Sequence, residues 1–332
     1  MTQRYLVTGA QGFIGRHMVS HLLRHSLECA VLGVGRSPAQ DSHFNHTLSC
    51  GDHPVLAPLP EYLRTPGSRY RYVSIDIASA DFAVVVHEFR PTKVIHLAAQ
   101  LRGTVDELIY QNNTRSTACL LNALARCDAE FLLFASSGGV YGKQEHFPID
   151  ENVAVLPLDV YSRSKLASED LVREFALQIG VPTAIARIFN VVGAGQDELH
   201  FAGRTASQIA SILAHRAAPF VRVGPLSSSR DFIDVRDTCH ALTLISESNH
   251  QGVYNVGSGV ETLVGDLLGI FLDVSGLRKE VQIESDSTRT ELVPRHVAKI
   301  GRLTNKGFAP ERSLERICNE MLAYYAQYVY GV

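Results

Sequence analysis

The chain has 332 residues, a formal net charge of −3, 45% hydrophobic and 20% charged residues. That length allows one large domain or two smaller ones with a full core, and the near-neutral balance excludes a polyanion-binding protein, nucleic acid included. No apolar run approaches a bilayer span, the 6 cysteines are scattered without a C-x-x-C pair, and no metal site is read from the 14 histidines. The expectation is a reduced, metal-free, cytoplasmic protein with no membrane segment.

The start, "MTQRYLVTGA", runs almost directly into a strand, so no signal peptide is expected. "RYLVTG" is the first strand and "FIGRHMVSHLLRHS" the first helix, with apolar residues at three-to-four spacing. "CAVLGVGR", "YRYVSIDI", "KVIHLAA", "EFLLFASS" and "PTAIARIFN" read as further strands with helical patterns between them. Strands alternating with helices predict an α/β fold: a doubly wound parallel sheet of Rossmann type, covered on both faces. Residues 37–69 break the rhythm and hold Pro38, Pro54, Pro58, Pro60 and Pro66. A connection this long is expected to be a surface insertion, with a flap near the cofactor or a partner contact as the sharper reading. After about residue 190 the pattern becomes mixed: a helix at Thr205–Arg216, a strand near Phe220–Val223, a strand in "GVYNVG" and a last helix over Ser313–Tyr330. The sheet domain is expected to take residues 1–187 plus about 225–258, and a smaller α+β substrate portion about 188–224 plus 259–332.

In "VTGAQGFIG", Gly9, Gly12 and Gly15 sit between the first strand and the first helix. Gly9 permits a tight turn, Gly12 lets a diphosphate approach the backbone at the positive helix end, and Gly15 permits close helix packing. This strand–turn–helix setting predicts a dinucleotide site. The second strand ends in Gly35 and Arg36, with no acid for a ribose 2′-hydroxyl. An arginine there pairs with a 2′-phosphate, which favours NADP(H) and leaves NAD(H) open. Asp76 is placed to approach the adenine, and Leu97, Ala98 and Ala99 to line the phosphate and ribose side.

"VYSRSKLASED" puts Tyr161 and Lys165 four apart on one helix face. A nearby ammonium and the positive ring of an oxidised nicotinamide would lower the phenol toward neutral pH, and Ser137 would bond the same substrate oxygen. The two residues after Ser137 are Gly138 and Gly139, which are expected to leave room for a substrate ring.

"TGAQGFIG", "LAA", "SSGGVYG" and "YSRSK", in this order and spacing, resemble the extended short-chain dehydrogenases/reductases, the NAD-dependent epimerase/dehydratase family, and the likeness continues through "ARIFNVVGAGQ", "RDFIDVRD" and "NVGSG". The resemblance implies a nucleotide-diphosphate sugar as substrate and a catalytic Ser137, Tyr161 and Lys165. It adds Phe13, Ile14, Ile77 and Asn113 to the cofactor site. It puts Gly138 and Asn190 beside the sugar, with Arg230 and Arg289 on the diphosphate. It also implies a homodimer through the helical stretches near Thr114–Arg126 and Ser162–Gln178. The family's dehydratases carry acids where this chain has Gly138 and Gly139, which removes elimination and decarboxylation and leaves reductases and epimerases. "GAGQDELHFAGRTASQIASI" and "VGPLSSSRDFIDVRD" resemble the GDP-4-keto-6-deoxymannose reductase branch, so a 4-ketoreductase is favoured, with an NAD-dependent 4-epimerase as the alternative. A non-catalytic cofactor-sensing protein would be expected to lose the tyrosine or lysine, and this chain keeps both.

Overall fold

The computed structural model describes residues 3–38, 42–50, 53–64, 68–101, 105–285 and 292–331. Seven strands form one parallel sheet, in the spatial order Gly252–Val256, Thr183–Ile188, Phe131–Ser137, Lys93–His96, Arg4–Thr8, Ala30–Gly35, Tyr70–Ser74. Side chains alternate across it, as a strand's two-residue period requires. Tyr5, Val7, Val31 and Leu133 face helices α1 (Phe13–His25) and Val235–Glu247, which supply Met18, Leu22 and Leu242. Leu6, Leu32, Leu132 and Phe134 face α2 (Asp81–Phe89), α3 (Asp106–Leu124) and α4 (Val160–Ile179), which supply Phe82, Leu120 and Val172. Both faces are therefore covered, and the inner strands are largely apolar, whereas the edge strand Tyr70–Ser74 stays partly exposed. The chain order reverses on either side of Arg4–Thr8, and the carboxyl ends of the strands open a crevice at that switch point.

A second portion stands at that end of the sheet. Asn190–Val192 runs parallel to Ser229–Asp234, which also pairs with Glu261–Leu263 and Arg295–His296. Phe220–Val223 pairs with Gln282–Ser285. The stretch expected to lie wholly with the sheet domain, about 225–258, divides here: Ser229–Asp234 joins the small sheet, whereas the helix Val235–Glu247 and the strand Gly252–Val256 belong with the large one. The last helix, Leu314–Tyr324, continues as a wider π turn over Tyr325–Tyr330 and ends at Gly331 in the left-handed region, φ 73°.

In its described residues the proline-rich insertion is neither a bare surface loop nor a flap over the cofactor crevice. It forms a hairpin, His43–Cys50 with His53–Pro58, followed by a short turn at Glu61–Leu63. Phe44, Leu48, Ala57, Leu59 and Leu63 are buried with Ile209, Phe271 and Met321 in the core of the second portion. The Phe44 ring meets Tyr324 edge-on at 6.4 Å, and the Tyr324 hydroxyl donates to the Pro58 carbonyl at 2.9 Å. Pro54 and Pro58 fit because each lies in a two-stranded ribbon whose outer edge needs no N–H donor. The sequence disguised this hairpin because its apolar residues are spaced among prolines and histidines.

Because Phe44 is 1% exposed, Phe44→Ala is expected to destabilise the protein by about 3–5 kcal/mol, the scale for truncating a buried aromatic. Denaturant unfolding measures this. A loss under about 1 kcal/mol would return the hairpin to the status of a surface insertion.

Candidate active site

The glycine turn is built as its spacing requires. Gly9 has φ +67°, and a Cβ on it would stand 2.9 Å from the Ala98 Cα. A Cβ on Gly15 would stand 2.0 Å from the Gly9 carbonyl oxygen, so α1 can approach the turn only through glycine. Gly12 opens α1 without a side-chain cap, and only the Gly9 oxygen, at 3.2 Å, lies near where its Cβ would be. The first N–H groups of α1 thus face the crevice bare, the arrangement that suits a diphosphate. Phe13 and Ile14 occupy the first turn. Phe13 sits edge-on to His17 at 5.5 Å, and Ile14 packs toward the sheet. Arg36 is exposed at the end of Ala30–Gly35, where a phosphate on the adenine ribose would lie. Asp76 is exposed beyond Tyr70–Ser74, its carboxylate accepting from the Ala78 N–H at 2.8 Å. The Ile77 side chain points away from this polar edge and into the core.

Two polar clasps set α4, the helix that carries Tyr161 and Lys165. Asp159 caps α4, accepting from the Ser162 N–H at 2.8 Å and the Ser162 hydroxyl at 2.9 Å, which places Tyr161 in the first turn. Lys165 follows one turn later, and its ammonium donates to the Ala135 carbonyl at 2.7 Å. A further turn on, Glu169 has no exposed surface and accepts from the Ser136 hydroxyl at 2.6 Å and from Arg187 at 3.0 and 2.8 Å. Helix and strand are therefore fixed on both residues that precede Ser137. The Ser137 oxygen accepts from the Gly139 N–H at 3.1 Å, which leaves its own O–H as a donor.

The acid–base balance differs from the sequence expectation. Lys165 is pulled down to about 7 by burial, opposed by Glu169. Its ammonium lies 5.9 Å from the Tyr161 ring centroid, over the Phe134 ring at 4.8 Å. The Tyr161 phenol is pushed up, by burial first and by Asp159 second. Within the protein alone burial outweighs a lysine whose charge is turned toward a backbone carbonyl, so the phenol is raised; the expected depression drew also on the positive ring of an oxidised nicotinamide, which would act on this phenol when bound.

A buried polar ladder links the turn to both flanking helices. His96 Nδ1 meets the Thr8 hydroxyl at 2.7 Å, and its Nε2 meets the Thr117 hydroxyl at 3.1 Å. The Thr8 oxygen accepts from the Ala98 N–H at 3.1 Å and so fixes the run from Leu97 to Ala99. Asn113, 4% exposed, accepts from the Gln100 N–H at 2.7 Å and donates to the Gln100 carbonyl and the Ser164 hydroxyl at 3.0 and 2.9 Å. Both its amide hydrogens serve the protein, so Asn113 braces the loop and α4 instead of presenting them to a cofactor.

Gly138 and Gly139 do not leave room for a ring. A Cβ on Gly138 would stand 2.8 Å from His296 Cε1 and 3.1 Å from Phe189. One on Gly139 would stand 2.4 Å from the Ser162 hydroxyl. The space is filled by protein: His296, 8% exposed, stacks on Phe189 at 4.6 Å, and its Nε2 meets the Gly138 carbonyl at 3.0 Å. Arg230 lies opposite His296 in register on the neighbouring strand and donates to the Ser229 carbonyl at 2.8 Å. The two acids nearest it in sequence have other partners: Asp231 accepts from the N–H groups of Ser258, Gly259 and Ala298, and Asp234 holds Arg236. Asn190 donates to the Asp231 carbonyl at 3.1 Å, which ties it to the same strand. Arg289 lies outside the described residues. His96, Glu169 and His296 were missed in the sequence. Glu169 carried a usable signal, eight residues past Tyr161 on the same helix face; nothing local marks His296.

Among the described residues no group of three or more metal-ligating side chains could hold an ion, and no helix is long and apolar enough to cross a membrane.

Comparison with known proteins agrees with this geometry. The profile of the NAD dependent epimerase/dehydratase family matches residues 5–257. The GDP-6-deoxy-D-mannose reductase of Pseudomonas aeruginosa is 32% identical over 299 residues, 87% of this chain and 85% of that protein. The structure of RMD from Pseudomonas aeruginosa complexed with NADPH superposes with a TM-score of 0.79 at 28% identity, covering 98% of this chain and 99% of the other. The UDP-glucose 4-epimerase of Thermus thermophilus in complex with NAD superposes with a TM-score of 0.77 at 25% identity, covering 97% and 99%.

Burial holds three imidazoles of this framework neutral: His17 at about 4, His96 at about 3 and His296 at about 4, against an ordinary 6.5. The unfolded chain therefore takes up these protons first as pH falls. The contribution of these three histidines to stability is expected to be level above pH 7 and to decline from about pH 6.5 toward pH 4, by about 1.4 kcal/mol per pH unit for each such histidine. Thermal unfolding across this range checks it. A flat profile from pH 7 to pH 4.5 would show that the imidazoles are not held neutral.

Proposed function

The chain belongs to the NAD dependent epimerase/dehydratase family, and from that premise we propose that it is an NADP(H)-dependent 4-ketoreductase of a GDP-linked 4-keto-6-deoxyhexose. The observation that carries reduction over epimerisation is the end of the strand Ala30–Gly35, where the exposed Arg36 follows and no acid stands. A guanidinium there suits the 2′-phosphate of NADPH, the cofactor that a net reduction consumes, and the NADPH-bound RMD of Pseudomonas aeruginosa supports the same reading. Tyr161, its phenol pushed up by burial, is assigned as the proton donor to the carbonyl oxygen.

NADPH supplies a hydride when bound. The bare start of α1 at Gly12 would hold its diphosphate, Arg36 its 2′-phosphate and Asp76 its adenine side. Ser137, with its oxygen engaged by the Gly139 N–H, donates its O–H to the substrate carbonyl and holds it at the phenol. Tyr161 delivers the proton. Lys165, one turn along α4 and lowered by burial to about 7, is assigned to restore it. Arg230 and Asn190, on paired strands of the second portion, are assigned to the diphosphate and sugar. Arg289 is assigned as a second diphosphate contact. The division of labour follows: the seven-stranded sheet holds the cofactor and the second portion the nucleotide sugar. A homodimer through α3 and α4 belongs to the same proposal, supported by exposed Leu108 and Tyr110 on α3 and Leu177 on α4. The second reading is an NAD-dependent nucleotide-sugar 4-epimerase, supported by the likeness to the NAD-bound epimerase of Thermus thermophilus.

NADPH is expected to be consumed one-for-one with a GDP-4-keto-6-deoxyhexose, followed by absorbance and product chromatography. Tyr161→Phe should cut turnover by about 10²–10⁴-fold while NADPH binding stays near normal. Interconversion of two sugar epimers without net loss of NADPH would replace the reductase with the epimerase. Arg36→Ala should erase a preference for NADPH over NADH of roughly ten- to a hundred-fold, the scale of one charge-assisted contact, and leave NADH binding nearly unchanged. Equal affinity of the unaltered protein for both cofactors would remove Arg36 from the argument.

A further inference from the structure

His296 has no part in the chemistry assigned above, yet it reaches from the second portion to the turn that follows Ser137. Its strand, Arg295–His296, is anchored on both sides. Just before it, the Ser229 N–H donates to the Pro294 carbonyl at 2.9 Å, and Arg295 holds Glu261 through two bonds of 2.7 Å. Just after it, the Ala298 N–H donates to the Asp231 carboxylate at 3.2 Å. From this anchored strand the imidazole lies along the Phe189 ring, with 26° between the two planes. The closeness that bars a Cβ from Gly138 also brings the imidazole within reach of the Gly138 carbonyl.

That bond fixes the tautomer. A carbonyl oxygen can only accept, so the Nε2 that meets it at 3.0 Å carries the proton. The same peptide unit contains the Gly139 N–H, which donates to the Ser137 oxygen at 3.1 Å. The unit is planar and trans, so its carbonyl and its N–H point opposite ways, one to His296 and the other to Ser137. Turning the peptide would break both bonds at once. Glycine flanks it on each side, and glycine backbone turns more freely than any other, so its orientation depends on the groups that hold it. Hydrogen bonds in a chain also polarise one another: a donor on the carbonyl strengthens the N–H at the far end.

We propose that His296 is a positioning residue for the Ser137 hydroxyl: through the Gly138–Gly139 peptide it keeps a donor on the Ser137 oxygen, so that the Ser137 proton is turned toward the substrate. The inference rests on the reading that Ser137 holds the reacting oxygen of a nucleotide sugar, which a reductase and an epimerase share. It gives the second portion a hand in the chemistry, since the strand that bears His296 pairs with the one that bears Arg230.

Steady-state kinetics of the full chain test it, with NADPH and a GDP-4-keto-6-deoxyhexose and, in a parallel assay, with NAD⁺ and UDP-glucose. His296→Phe keeps a ring on Phe189 and removes the donor. It should lower kcat by about tenfold, the scale of one hydrogen bond, and leave KM for the sugar within about twofold. His296→Gln, which keeps an N–H at similar reach, should recover to within about threefold of the unaltered protein. Ser137→Ala should cost about a hundredfold or more. Adding His296→Phe to Ser137→Ala should then cost less than about twofold further, because no hydroxyl is left to orient. A cost of about tenfold that persists in the Ser137→Ala background would overturn the proposal, because the ring then acts elsewhere. So would an unchanged kcat in His296→Phe, a loss confined to KM, or a His296→Gln as slow as His296→Phe, each while Ser137→Ala is slow. Full turnover by Ser137→Ala, or no turnover of either sugar by the unaltered protein, would overturn the functional reading and this inference with it.

Discussion

One buried carboxylate holds Ser137, Tyr161 and Lys165 in their mutual geometry. Glu169 is enclosed on all sides and joins three elements: its own helix α4, the strand that ends in Ser137, and, through Arg187, the next strand of the sheet. Arg173 adds a further bond from the solvent side at 2.6 Å. Removing one partner of a buried ion pair ordinarily costs about 3–5 kcal/mol, because the other charge is left in a dry interior. The pair therefore acts less as a source of net stability than as a register pin. With Glu169 on Ser136 and Lys165 on Ala135, the helix cannot slide along the strand without breaking two bonds at once. Tyr161, one turn before Lys165, inherits its position relative to Ser137 from that pin.

The cofactor side depends on a second buried set, and the two sets meet. Thr8, at the end of the first strand, holds both His96 and the Ala98 N–H. His96 reaches Thr117 on α3, and Thr117 reaches Ser168 on α4 at 3.3 Å. The glycine turn, the loop after the strand Lys93–His96 and α4 are thus one hydrogen-bonded body. Charged groups would fail here, since each would need a partner in a dry interior; hydroxyls, an amide and a neutral imidazole satisfy one another instead.

Much of this was legible in the sequence. The glycine spacing, the strand–helix alternation and the Tyr161–Lys165 pair each follow from a local rule, and each stands in the structure where that rule puts it. What was not legible arises from contacts distant in sequence. The proline-rich insertion gave no hint that Phe44 would be buried against Tyr324, in a helix near the other end of the chain. Gly138 and Gly139 read as space for a ligand, but His296 and Ser162 fill that space. The Tyr161 phenol was expected to be lowered by Lys165 together with an oxidised nicotinamide; within the protein alone burial raises it, and burial is a property of the whole fold. Asn113 was placed at the cofactor by resemblance; its hydrogen bonds show it bracing the loop from behind.

The central claim is that the pinned trio delivers a proton to a carbonyl as hydride arrives. The most direct measurement is label transfer from NADPH carrying deuterium at the transferable position of its ring. With a GDP-4-keto-6-deoxyhexose, mass spectrometry should find one deuterium at carbon 4 of the reduced sugar for each NADPH oxidised. A sugar product without the label, formed while the NADPH remains intact, would contradict the account.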